Sequence, residues 1–308
     1  MKRIRLADYI IILAIVLEVV VFALLAPQFL SLDNAVNIGL SLAIIGILAV
    51  GMTAVILTGG IDLSVGSIVA LAGVLSALTA QKTGFVVAGI LAAILLGAIS
   101  GAFTGIAVAQ FRVPPFVVTL AWLTIGRGLA FIITNGRSIG DLPENFGWLG
   151  RARLSGLPMP VLVMLTVFAI GWFVLTQTTL GRYIYAVGGN REAAFLAGVN
   201  VNRTTFLVFL LYGVFVVIAG ATLAARLGAG VPNSGVQYEL DVIAAVVVGG
   251  TSLTGGRGSV IRTLWGAIFI GVLNNGLNLA GIDPYMQKVA FGCVILLAVL
   301  ADQINKPF

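Results

Sequence analysis

Apolar runs of about twenty residues follow one another along this chain with little between them. A helix needs ~20 apolar residues to cross the hydrocarbon of a bilayer. Inside lipid, only helices and closed barrels satisfy every backbone polar group. With that length as the ruler, the sequence reads as about ten spans, at residues 9–26, 37–58, 61–80, 85–109, 114–133, 158–177, 204–224, 240–253, 261–279 and 285–301. The fold class this predicts is all-α: a polytopic membrane protein, with residues 1–308 as a single transmembrane domain. Charged residues make up only 9% of the chain. A soluble domain carries about 25%, so there is too little charge here to coat a water-facing surface.

Composition also removes several function classes. The 17 Lys and Arg stand singly, so they read as membrane-edge residues and not as a patch for nucleic acid. The chain has no histidine, hence no histidine metal site or general base, and it lacks the HExxH and GxSxG patterns. Cys293 lies in an apolar run and reads as packing volume. Gly249–Ser259 is rich in glycine but holds no lysine to reach a phosphate, so it is not a nucleotide loop. A transporter of this composition draws its energy from a partner ATPase or from an ion gradient.

The first run follows Lys2, Arg3 and Arg5 and mimics a signal peptide. Its apolar core is long for a cleaved signal and many spans follow, so a retained first helix is expected. The basic cluster predicts a cytoplasmic N-terminus, and an even span count returns Lys306 to the same side. On that count Arg112, Arg182, Arg191, Arg203, Arg257 and Arg262 fall inside, and Arg127 falls within a span. Glu18, in the first span, is a lone intramembrane carboxylate. It reads either as a functional group or as a protonated or helix-paired residue near an interface.

Two places interrupt the apolar pattern with paired glycines. At Ile56–Gly66 the run meets Gly59 and Gly60, then Asp62 and Ser64, and then resumes. Paired glycines permit a sharp break, and Asp62 or Ser64 can cap the next helix. Irregular backbone at membrane depth needs protein or a wet cavity around it. The break therefore reads as lining the bundle interior or a mouth of the pathway, or else as a tight turn with Asp62 merely capping. Gly249–Gly256 repeats the pattern GG-x-x-L-[ST]-x-G of Gly59–Gly66. That echo suggests an internal repeat. The span count, however, puts both copies on the cytoplasmic side, where an inverted repeat would put them on opposite faces, so either a span boundary is misplaced or the echo is only turn chemistry. Asn274, Asn275 and Asn278 stand inside the ninth span, as lining of a polar path or as helix-to-helix glue. Gly97, Gly101 and Gly105 form a ridge for close helix packing.

Three polar segments remain. Residues 134–157, with Asp141, Glu144, Arg137, Arg151, Arg153, Phe146 and Trp148, form the longest outer segment, and Arg226–Asp241 is a second. Gly181–Asn202 is the longest polar stretch on the inner side. There Asn190 suits an N-cap, Glu192 a first turn and Gly198 a stop, which brackets a helix of about seven residues, roughly 10 Å long. It reads either as a knob offered to a soluble partner, with Phe195 and Leu196 beside small alanines, or as an ordinary interfacial helix.

The string GRYIYAVGGNREAAFLAGVNV (residues 181–201) resembles the cytoplasmic coupling loop of permease subunits in bacterial ABC sugar importers of the ribose/xylose/arabinose type. ILTGGIDLSVG (56–66), VPPFVVT (113–119) and VVVGGTSLTGGRG (246–258) are similar to further segments of that family in the same order. The resemblance implies a permease that moves a monosaccharide, ribose-like, through the bacterial inner membrane, embedded in lipid and without catalytic activity of its own. Implied partners are cytoplasmic ATPase subunits that bind the ATP, a periplasmic sugar-binding protein docking on the outer segments, and a second permease copy. No cofactor is implied for this chain. Gly181, Arg182, Gly188, Gly189, Asn190, Glu192, Ala193, Ala194 and Gly198 become the ATPase-coupling set. Gly59, Gly60, Asp62, Ser64, Asn274, Asn275 and Asn278 become the pathway set. An ion-coupled secondary transporter of a small polar solute is the alternative, and only Glu18 and Asp62 would serve its proton relay.

Overall fold

The computed structural model describes residues 6–304, mostly as helix. In order these are α1 (Leu6–Leu25), α2 (Leu32–Leu57), α3 (Val65–Thr83), α4 (Val86–Ala109), α5 (Pro115–Thr134), α6 (Trp148–Arg151), α7 (Met159–Gln177), α8 (Thr179–Gly189), α9 (Arg191–Leu196), α10 (Val201–Leu227), α11 (Tyr238–Val248), α12 (Val260–Leu279) and α13 (Pro284–Ile304). Among the described residues the only strand pair is a ribbon of Arg153–Leu154 with Leu157–Pro158. The N-terminal basic cluster and Lys306 lie outside the described residues.

Among the described residues, seven helices are long and apolar enough to cross a membrane, and α1 and α13 add shorter apolar stretches, Ile10–Leu25 and Pro284–Leu300. The eighth expected span, 240–253, is different. α11 has 11 residues, about 16 Å at 1.5 Å per residue, which is half a crossing. The other half is supplied by residues 228–237, which re-enter the bundle without regular structure. Gly230 lies against Val74 and Ala77 of α3, and Gly235 lies against Gly66 and Val69. The descent covers roughly 10 Å of the α3 axis.

Local chemistry sets the helix ends. Ser31 Oγ accepts the Asn34 amide at the start of α2. Pro115 opens α5, where its missing N–H costs nothing. Gly84 and Gly228 close α3 and α10 in the left-handed conformation.

α2 and α10 run through the centre and are buried nearly all round, which is why their sequences are apolar on every face. α4 packs against α10 along the expected glycine ridge. A Cβ added to Gly97 or Gly101 would collide with the α10 backbone at Gly213, Phe209 or Leu210, and Gly213 meets Gly97 and Gly101 in return. Small residues let the two backbones touch, which in lipid replaces the missing hydrophobic drive between helices. α1, α4, α5 and α13 show long apolar side chains on their outer faces, as lipid contact requires.

The bundle has two ends. α8 and α9 cap one, and α6 with the ribbon caps the other. α12 runs from the α8 end to the α6 end, and Gln287 near the start of α13 bonds Asn278 near the end of α12, so α13 returns to the α8 end.

Candidate functional site

The coupling stretch is two helices rather than one. Residues 179–189, expected as a polar approach, form α8, which Thr178 caps by accepting the Gly181 amide on Oγ1 at 3.2 Å. α8 is amphipathic: Gly181, Ile184 and Val187 are buried, while Arg182 and Tyr183 are exposed. A Cβ on Gly181 would strike the Val174 and Leu175 carbonyls, so this glycine sets how tightly α8 folds under α7. α9 spans six residues rather than about seven. Asn190 Oδ1 accepts the Ala193 amide at 2.9 Å, Glu192 lies in the first turn, and Gly198 ends the turn at φ 83°. Ala194 is buried with Val187, Val199 and Val201, which fastens the short helix to its surroundings. Phe195 and Leu196 point outward, 68% and 79% exposed. They are two large apolar side chains exposed on a tip no wider than one turn.

The far end of α8 reaches the breaks. A Cβ on Gly188 would overlap the Leu57 carbonyl oxygen and crowd the Gly256 amide, and one on Gly256 would press on Gly189. The Gly256 amide donates to the Leu57 carbonyl at 2.9 Å. Tyr185 Oη donates to the Gly258 carbonyl at 3.0 Å. Burial raises the Tyr185 phenol above its ordinary value, so it stays protonated and able to donate. Gly59–Gly60, Gly188–Gly189 and Gly255–Gly256 thus meet at one point. The two copies of the glycine motif lie at the same end of the bundle, so their echo is turn chemistry. The segment entering from the opposite end is 228–237.

Beyond Gly59, at φ 80°, the chain climbs back into the interior. Thr119 Oγ1 of α5 donates to the Ile61 carbonyl. Asp62, 5% exposed, accepts the Ser64 amide at 2.7 Å and the Ser64 hydroxyl at 2.6 Å on Oδ1. This is an Asx turn, which holds the N-cap residue Ser64 at the start of α3 with the carboxylate beside the helix's positive end. α3 therefore starts at Val65, well inside the bundle, and the expected span 61–80 loses its first turn. Asp62 and Ser64 line a narrow cavity with Ser100, Thr104 and Tyr212, barely wide enough for one water. Tyr212 Oη is buried there without a hydrogen-bond partner.

The asparagines do not join this group. Asn275 and Asn34 exchange amide hydrogen bonds at 2.8 and 2.9 Å and tie α12 to α2. Asn278 accepts from Gln287 at 3.2 Å and ties α12 to α13. Asn274 is half-buried on the same helix face as Asn278. Glu18 is half-buried on α1, its Oε2 enclosed without a hydrogen-bond partner.

At the α6 end, residues 134–157 fold over an open cleft of about 480 Å³ lined by Leu142, Glu144, Phe146, Trp148, Arg151 and Gly228. Arg226, expected on a loop, ends α10 and donates to the Leu40 carbonyl at 2.9 Å. Sequence alone assigns no role to Tyr185 or Tyr212, places Arg127 in a span without a partner, and offers no sign of the re-entry at 228–237. Gly-Ala-Gly-Val-Pro-Asn-Ser-Gly has the composition of an ordinary outer loop, and the charge of Arg127 inside an apolar run was the one available signal.

Seven apolar helices of spanning length among the described residues, with a short helix pair packed on the glycine turns at one end of the bundle, make this a polytopic membrane domain. The family model described as "Branched-chain amino acid transport system / permease component" matches residues 34–299, and the chain belongs to that family. It is 45% identical over 295 residues to the ribose import permease protein RbsC of Escherichia coli K12, covering 94% of this chain and 92% of that one. It is 44% identical over 299 residues to the protein of the same name in Bacillus subtilis, covering 94% and 91%. The L-arabinose transport system permease protein AraH of Escherichia coli K12 is 38% identical over 284 residues, covering 92% and 87%. These relatives are named as transport permeases, not as enzymes. No solved structure matches the chain. With its succession of apolar helices, the protein is a multi-pass component of the bacterial inner membrane.

Proposed function

We propose that this chain is the membrane-spanning subunit of an ATP-driven importer and passes a monosaccharide, ribose-like, that a periplasmic binding protein delivers. Cytoplasmic ATPase subunits bind the ATP, so the chain carries no cofactor and catalyses no reaction itself. The ATPases grip α8 and α9 through Arg182, Gly189, Asn190, Glu192, Ala193 and the exposed Phe195–Leu196 tip. Gly181, Gly188, Ala194 and Gly198 give that handle its shape. A second permease copy completes the pathway, and the cleft under residues 134–157 receives the binding protein. Solute movement follows from rearrangement around Gly59, Gly60, Asp62 and Ser64, and the asparagines of α12 hold the neighbouring wall.

One observation carries the reading: the handle touches both glycine breaks, through Gly188 on Leu57 and through Tyr185 on Gly258. A displacement of α8 therefore moves backbone deep in the bundle without an intermediate. The names of the relatives supply the sugar class.

The test replaces Phe195 and Leu196 with aspartate in the assembled importer. Both side chains are exposed, so folding is left intact. Uptake should fall at least about tenfold, because truncating apolar anchors at an interface removes more than 1.4 kcal/mol. Unchanged uptake with unchanged stimulation of ATP hydrolysis would refute the handle. Uptake that an uncoupler abolishes while ATP stays high would favour an ion-driven carrier.

A further inference from the structure

Arg127 sits in the middle of α5, an otherwise apolar helix of which little is buried. An intramembrane guanidinium is costly unless it has work and partners. Its partners are unusual, because one nitrogen, Nη1, donates to two backbone carbonyls, Pro232 at 2.7 Å and Ser234 at 2.8 Å. Both carbonyls belong to the irregular segment 228–237, which has no helix or sheet to satisfy them. Charge-assisted bonds of this kind are about twice as strong as neutral ones. Glu239, in the first turn of α11, adds a charge attraction to the same guanidinium.

The segment so held has one further close contact. Gly235, at φ 69°, packs backbone to backbone on Gly66, and a Cβ on Gly66 would meet the Gly235 carbonyl and the Glu239 carboxylate. Two helices therefore begin at this crossing: α3, fed from the α8 end, and α11, fed from the α6 end. α11 then runs back toward the α8 end and stops at Gly249, against Arg262 and Thr263 of α12. The loop after it is the one that Tyr185 and Gly188 hold. α11 thus lies between two held segments: the loop after it, at Gly256 and Gly258, rests on α8, and the segment before it, at Pro232 and Ser234, is held by Arg127.

We propose that Arg127 is a positioning residue for transport: by pinning the carbonyls of Pro232 and Ser234 it fixes the interior end of α11, so that movement of α8 is delivered to the Gly66–Gly235 crossing. This rests on the reading of α8 and α9 as the coupling handle. Without the pin, α11 still forms and α8 still docks, but the push dissipates in a free segment.

The experiment compares Arg127→Met and Arg127→Lys in the importer assembled with its ATPase and binding protein. Met keeps the apolar stem and removes the donors. Lys returns one ammonium, which can reach two carbonyls as Nη1 does. The expected result for Arg127→Met is normal assembly, basal ATP hydrolysis within about twofold of wild type, and uptake lowered at least about tenfold together with loss of stimulation by the loaded binding protein. Amide exchange at residues 229–238 should speed up while exchange in α8 stays unchanged. Arg127→Lys should recover a large part of the uptake and of the protection. Wild-type uptake by Arg127→Met overturns the proposal. So does failure of both variants to assemble, since that makes Arg127 a folding residue only. Failure of the handle reading shows separately, as wild-type uptake when Phe195 and Leu196 are aspartates, whatever Arg127→Met does.

Discussion

Residues 58–64 and residues 228–237 both carry the chain back into the bundle before a helix begins, and they are held by different means. The first carries a bond set of its own as well as outside contacts. Asp62 holds Ser64 by two short bonds in an Asx turn, and the turn before it is clasped by Gly188 and Gly256. The second makes little structure of its own and is held from outside by Arg127. Both are only partly buried: Gly60, Asp62 and Ser64 of the first are enclosed and Gly59 is exposed, while Asn233 and Val236 of the second are exposed. The contrast shows that a broken helix can be stabilised either by its own cap or by a neighbour's charge. Under the proposed coupling, it would also separate two jobs: the break near the handle would receive force, and the break on the far side would resist it.

The comparison is most easily broken where the two segments touch. Gly66→Ala drives a methyl into the Gly235 carbonyl, which is backbone and cannot step aside. Overpacking costs about 1–3 kcal/mol and sometimes more, so the detergent-solubilised protein should show a clearly lowered Tm and a poor folded yield. Asp62→Ala comes next. It leaves the buried Ser64 amide and hydroxyl without their acceptor, at about 1–3 kcal/mol, while Asp62→Asn keeps an acceptor and should cost much less. Thermal unfolding checks both, and equal losses for the two substitutions would assign Asp62 a role beyond capping. Tyr185→Phe is the mildest. It removes one neutral hydrogen bond, about 1 kcal/mol, and should reduce uptake modestly while leaving Tm nearly unchanged. A Tm loss for Tyr185→Phe as large as that for Asp62→Ala would mean that the handle is part of the core and not a separable lever.

Much of this was legible in the sequence for a plain reason: spanning helices are written in hydropathy, and hydropathy is local. The glycine ridge of α4, the cap at Asn190, the stop at Gly198 and the break at Gly59–Gly60 all follow from rules acting over a few residues. The re-entry at 228–237 did not show, because its polar residues suit an aqueous loop as well as a segment buried beside α3. Only the fold reveals that Gly235 meets Gly66. α8 was missed because its glycines and single arginine read as a loop, whereas its buried face of Gly181, Ile184 and Val187 needs α7 for company. The asparagines of α12 were visible as polar residues in a span, but their partners, Asn34 and Gln287, are tertiary facts.

The central claim is that the Phe195–Leu196 tip faces the cytoplasm as the handle of the permease. Leu196→Cys, in a chain whose Cys293 is replaced by serine, tests it directly with a membrane-impermeant maleimide applied to right-side-out and inverted vesicles of the host bacterium. Labelling should occur in inverted vesicles alone and should be blocked when the ATPase subunits are bound. Labelling of Leu196→Cys from the outside of right-side-out vesicles would contradict the account.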